Sequence, residues 1–233
     1  MSTSSDVPKR HYYDTWPEMR DGLLAAAQPN LIWRGVSDAT WCILTSLDRF
    51  ATQHAIPDRT ALEAKLLSLY ALRSAELGLE GDHLSDQQRW ALGQHWGLPT
   101  PLLDWSRSPM VAAFFAASST NSVPEPDRTL ALYSLQTDDF MGPGDASIVF
   151  PPAGPWNARL KAQQGLFTDL RVGGCLIDTL QVRGKLPKLT VYMCPGVLSS
   201  RILVELESMT VDSLTMFPDM DGVVRHVRTL AAR

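Results

Sequence analysis

Residues 94–109 read Gln94-His95-Trp96-Gly97-Leu98-Pro99-Thr100-Pro101-Leu102-Leu103-Asp104-Trp105-Ser106-Arg107-Ser108-Pro109. His, Thr, Asp, Ser and Arg stand between two tryptophans, punctuated by Gly and Pro. Polar groups held this way between apolar elements suit a site better than a core. Upstream, Ser85 and Gln88 have capping-box spacing, so a helix is predicted to start at Ser85 and stop at Gly97. His95 then lies in its last turn, where the helix dipole favours a cation. Leu98 to Arg107 reads as a loop. Ser108-Pro109 reads as an N-cap followed by a first-turn proline. The helix Pro109 to Ala117 is apolar nearly all round, which places it at the centre of the molecule.

Outward from this stretch, Trp16 to Ala27 has helical spacing and Leu31-Ile32-Trp33-Arg34-Gly35 reads as a short buried strand. Arg34 is conspicuous there, because a charge on a buried strand is costly unless paired. Trp41 to Leu44 reads as extended. Thr60 and Glu63 suggest a further capped helix. Strands are expected at residues 130–135, 147–150, 165–168 and 189–193, and helices from about Ser199 to Met209 and near the C-terminus, where Val223, Val227 and Leu230 align. Glu205 and Glu207 read as solvent-facing. Residues 1–12 read as a flexible tail and 13–233 as one domain. The fold class is α+β: a helical N-terminal half with a central β-sheet core.

Composition bounds the function. The chain has 233 residues, 45% of them hydrophobic, enough for a sizeable core. A formal charge of -4 argues against a broad basic surface for duplex nucleic acid. Cys42, Cys175 and Cys194 form no CxxC and no Cys/His cluster, so neither a disulfide framework nor a metal site is expected. No segment has the length of a membrane span, and a cytoplasmic protein is the expectation.

Several motifs together resemble the FRG domain, a family named for a Phe-Arg-Gly motif. They are Trp33-Arg34-Gly35, Leu44-Thr45-Ser46-Leu47-Asp48-Arg49, Gln94 to Thr100, Leu103-Asp104-Trp105 and Ala112-Ala113-Phe114-Phe115-Ala116. Arg159, Gln164-Gly165-Leu166-Phe167 and Phe217 to Gly222 extend the likeness, so that 13–233 reads as an FRG-type domain. Trp33 takes the place of the Phe. The order of elements also resembles the ADP-ribosyltransferase fold, in whose arginine-bearing branch a strand ends in an aromatic-Arg-Gly triplet and the Arg holds NAD.

That second likeness implies a site. Arg34, Gly35, Ser46, Gln94, Thr100, Trp105 and Arg159 would bind NAD, with Arg34 gripping phosphate through its planar fork. Arg34, His95, Asp104 and Gln164 would carry the chemistry. The family's Glu-x-Glu is missing: Gln163 and Gln164 stand in its place, and a Gln supplies no negative charge. Asp104, Asp219 or Asp221 could supply it instead. Each residue has a structural reading as well. Arg34 could pair with Asp104 or Asp219 to hold the fold, His95 could stack on Trp96, Trp105 could be core, and Asp219 and Asp221 could cap a helix.

Three functions are therefore open: an enzyme transferring ADP-ribose from NAD to a nucleic-acid or protein acceptor, or hydrolysing NAD; a nucleotide or nucleic-acid binding module; and a hydrolase or nuclease built on His95 and Asp104. The first is the leading expectation. It takes NAD as substrate and needs no metal.

Overall fold

The fold was analysed in a computed structural model, which describes residues 7–79, 84–118, 127–138, 147–149, 158–169 and 173–231. Its centre is a seven-stranded sheet. The strands are β1 (Lys9–Tyr12), β2 (Leu31–Val36), β3 (Leu102–Ser106), β4 (Thr129–Gln136), β5 (Ser147–Val149), β6 (Gly165–Asp169) and β7 (Leu189–Pro195), in the order β1-β7-β4-β2-β3-β6-β5. Only the β1/β7 pair is parallel; the others are antiparallel.

The helices are α1 (Trp16–Ala26), α2 (Ser46–Gln53), α3 (Arg59–Glu76), α4 (Asp86–His95), α5 (Pro109–Ser118), α6 (Ala158–Ala162), α7 (Leu176–Val182), α8 (Ser199–Ser208), α9 (Ser213–Met216) and α10 (Met220–Ala231). They fall in both halves of the chain, and the longest, α3, lies in the N-terminal half, where more of the described helical residues are found. No helix among the described residues is long and apolar enough to cross a membrane.

Alternation along β2 sends Trp33 to one face and Ile32 to the other. Trp33 joins α5, α1 and α8 in one buried cluster with Trp16, Phe114 and Ile202. Ile32 joins Leu103, Trp105, Leu166, and Leu176 and Leu180 of α7 in a second. Leu102 and Phe167 meet Trp90 of α4 in a third. The central helix α5 is buried on almost every residue, as its composition requires. It lies so close to β2 that a Cβ on Gly35 would sit 1.8 Å from the Ala112 carbonyl oxygen.

Four local readings change. Residues 9–12 pair with residues 190–193 as an edge strand rather than fraying; their alternating polar side chains hide a strand stabilised by backbone pairing with β7. The remainder of the expected tail, residues 1–6, lies outside the described residues. Leu102–Ser106, expected as loop, is a strand whose outer partner is β6. Trp41 to Leu44 is irregular. The helix expected from Thr60 starts two residues earlier: Asp58 caps it by accepting from the Ala61 amide at 2.9 Å, while Glu63 pairs with Arg59.

The predicted α4 boundaries hold in detail. Ser85 and Gln88 make both bonds of the capping box, and Gly97 follows the helix with φ +87°.

Candidate functional site

Strands β2 and β3 are neighbours, yet only Trp33 and Ser106 are registered between them. Beyond that pair the strands part, and backbone groups of β3 lack a ladder partner on that side. Arg34 compensates. Its Nη1 donates to the Asp104 carbonyl oxygen at 2.6 Å and lies 3.7 Å from Asp104 Oδ2. The guanidinium does the work of a missing backbone N–H.

Five of the sequence candidates converge here through hydrogen bonds. Gln94, in the last turn of α4, donates through Nε2 to Asp104 Oδ1 at 2.6 Å. Thr100 donates its hydroxyl to Gln94 Oε1. The Thr100 amide donates to Ser46 Oγ at 2.9 Å, and Ser46 Oγ donates back to the Thr100 carbonyl at 3.3 Å. The series Arg34, Asp104, Gln94, Thr100, Ser46 therefore joins β2, β3, α4 and α2. Thr100 is fully buried. The Asp104 side chain is 64% exposed and that of Arg34 is 20% exposed, so the series runs from core to surface and presents a carboxylate and a guanidinium at its outer end.

Burial lowers the pKa of Arg34 from its ordinary value; the Asp104 charge opposes that shift, and Arg49 adds to it. Its Nε is buried without a hydrogen-bond partner. A guanidinium so poorly satisfied gains from an added anionic ligand more than one already saturated by carboxylates.

The other candidates sit elsewhere. His95 packs edge-on against the exposed Trp96, ring centroids 5.0 Å apart; on α4 it is its neighbour Gln94 that reaches Asp104. Trp105 is 3% exposed and donates its indole N–H to Thr168 Oγ1 at 2.9 Å, within the core on the Leu103 side of the sheet. Gly35 is required by the α5 approach. Gln164 is exposed, has φ +46°, and accepts the Arg107 amide through its carbonyl at 3.1 Å, which makes it the turn between α6 and β6. It is Gln163 whose side chain is tied in, donating to the Met216 carbonyl at 3.0 Å.

Arg159 and Arg225 lie on the Phe217 ring, 4.3 and 4.5 Å from its centroid. Asp219 accepts the amides of Asp221 and Gly222 and so caps α10, while Asp221 pairs with Arg225. Glu205, expected to face solvent, pairs with Arg20 of α1. Among the described residues no group of three or more His, Cys, Asp or Glu side chains is placed to hold a metal.

Sequence reading missed a second ionic cluster. Asp48 is buried and accepts from Arg59 Nε at 2.7 Å and from the Thr45 hydroxyl. It borders an open cavity of about 490 Å³ lined by Leu44, Ile56, Arg59, Gly173 and Gly174 among others. Asp48 was in view only as part of the Leu44–Arg49 motif, and its partner Arg59 lies on a separate helix.

Fold and site together define an α+β protein built on one mixed sheet, with a partly buried arginine beside an exposed aspartate where two strands part. Residues 29–124, somewhat under half of the chain, match the FRG domain model. That segment contains the whole Arg34–Ser46 series. Arg159, Gln164 and Phe217 to Gly222 lie beyond it. No curated protein and no solved structure matches the chain.

Proposed function

We propose that the Arg34–Asp104 site binds a nucleotide and that its chemistry is cleavage of NAD at the nicotinamide bond, with transfer of ADP-ribose to an acceptor or to water. The supporting observation is the pairing of an under-satisfied guanidinium with an exposed carboxylate held by Gln94. A ligand carrying phosphate and ribose hydroxyls satisfies both. Arg34 donates to phosphate oxygens. The Asp104 carboxylate accepts from ribose hydroxyls and stabilises positive charge as it develops on the ribose carbon, in the place of the missing Glu. Gln94, Thr100 and Ser46 fix the carboxylate's direction, as preorganisation demands. The leaving nicotinamide is neutral, so no acid is needed to expel it.

This reading departs from the sequence expectation in assigning no chemistry to His95 or Gln164. Neither joins the hydrogen-bonded series.

The test is incubation with NAD labelled in the adenylate half, alone and with mixed nucleic acids and proteins. Nicotinamide release, with label either transferred or freed as ADP-ribose, is the expected result. Arg34→Lys keeps the charge but loses the fork and is expected to weaken binding at least about tenfold. Binding without release would favour the non-catalytic nucleotide module. Absence of both binding and release would overturn the proposal.

A further inference from the structure

We propose that the chain forms a two-fold dimer in which helix α10 packs antiparallel against α10 of a second copy. The inference does not depend on the nucleotide reading. A surface helix ordinarily turns its apolar stripe to the core. On α10 the order is reversed. Met220, Val223, Val224, Val227 and Leu230 fall within about 120° of the helix circumference, and each is between 44% and 73% exposed. Gly222, His226 and Thr229, roughly opposite, are the least exposed residues of the helix. Gly222 is buried with no room for a Cβ beside the Phe217 carbonyl, and the Arg225 guanidinium lies over the Phe217 ring. The body of the protein thus receives the small and polar side, and solvent receives the valines.

Three observations make the occupant a second copy. The first is area. The five side chains expose on the order of 500 Å², as much as the largest apolar patch of a typical monomer. Two such faces bury on the order of 1,000 Å² together, the threshold of a specific interface. The second is spacing. Met220, Val223, Val227 and Leu230 stand 3, 4 and 3 residues apart, the seam of two packed helices. About an axis near Arg225, Met220 meets the partner's Leu230 and Val223 the partner's Val227. The third is charge. Asp221 and Arg228 stand on one flank of the stripe, about 20° apart around the helix. Reversing one helix sets the same flank of both copies face to face, so Asp221 of each meets Arg228 of the other. A parallel pair would set that flank against the His226 side and lose both contacts. The stripe has no aromatic residue and an aspartate at its edge, which suits a helix rather than an anionic lipid surface.

The experiment is sedimentation equilibrium of the full chain from about 1 to about 500 µM. The expected result is a monomer–dimer equilibrium with Kd on the order of 10 µM, as an interface at the size threshold implies. Val227→Glu puts an unpaired charge in the seam, at a side chain already exposed in the monomer; it is expected to raise Kd at least about tenfold. Arg228→Glu leaves the seam intact and sets like charges together; it is expected to raise Kd about threefold or more, and adding Asp221→Arg is expected to restore it. A monomer at every concentration would overturn the proposal, the more so if it co-sediments with phosphatidylserine vesicles. An unchanged Kd in folded Val227→Glu, or an Arg228→Glu effect that is absent or not restored, would overturn it as well. Circular dichroism checks the fold of each variant; if Val227→Glu does not fold, the charge exchange decides alone.

Discussion

Asp104→Asn separates a structural from a functional role for the Arg34 site. The substitution keeps the shape and the Oδ1 acceptor for Gln94 but removes the charge. At 3.7 Å the Coulomb energy with Arg34 is about 4.5 kcal/mol for an effective dielectric of 20 and about 1.1 kcal/mol in water. With the Asp104 side chain 64% exposed, the aqueous limit governs, and measured exposed pairs contribute about 0.2–1 kcal/mol. The stronger link, from Arg34 Nη1 to the Asp104 carbonyl, belongs to the backbone and survives the change. The variant should therefore lose no more than about 1 kcal/mol in urea unfolding. Nicotinamide release should fall by about a hundredfold or more, the usual effect of removing one preorganised electrostatic group. Calorimetric titration with NAD and chromatographic quantification of nicotinamide read out the two halves. Unchanged turnover in a folded Asp104→Asn protein would refute the chemical role. A loss of several kcal/mol would show that the charge holds the strands together instead.

Gly35→Ala should cost about 3 kcal/mol or abolish folding, because the new Cβ meets helix backbone that cannot rotate away; soluble yield and thermal melting report it. Trp105→Phe removes the indole donor to Thr168 in the core; it should cost about 1–3 kcal/mol in urea unfolding while NAD affinity stays unchanged. Thr100→Val deletes the buried hydroxyl that donates to Gln94; it should cost about 1–3 kcal/mol and lower turnover more than affinity. Asp138 accepts from Gln136 and Asn30, and these bonds hold its carboxyl below its ordinary pKa. A folded-state pKa below the unfolded value means that its stabilisation is complete above the ordinary carboxylate range and fades as pH falls through the depressed value. Asp138→Asn should remove that part of the acid-side slope, seen as urea midpoints against pH.

Much of the local structure was legible because its causes are local. The Ser85/Gln88 capping box, the Gly97 stop and the Pro109 start are satisfied by neighbours within a turn. The uninterrupted apolar run of α5 admits only a buried helix. Arg34, Gln94, Thr100, Asp104 and Ser46 were each visible as polar residues in apolar settings. His95 and Gln164 were equally visible, and nothing in the spacing distinguishes Gln94 from His95. Their directions around α4, about 100° apart, decide which one reaches Asp104.

What the amino-acid sequence by itself determined was the helices with local signals, those starting at Trp16, Asp86, Pro109 and Ser199 among them, and that an arginine and an aspartate stand in largely apolar stretches. What only the tertiary structure decided were the relations across the sheet. Residues 9–12 and 102–106 are strands because distant backbones pair with them, and Arg34 meets Asp104 because β2 and β3 part after one registered pair. The Leu176 amide meets the Ile43 carbonyl because α7 docks beside that segment. Hydrogen-bond partners far apart in the chain leave no periodicity or spacing in the residues themselves. They are set by how the sheet stacks its strands.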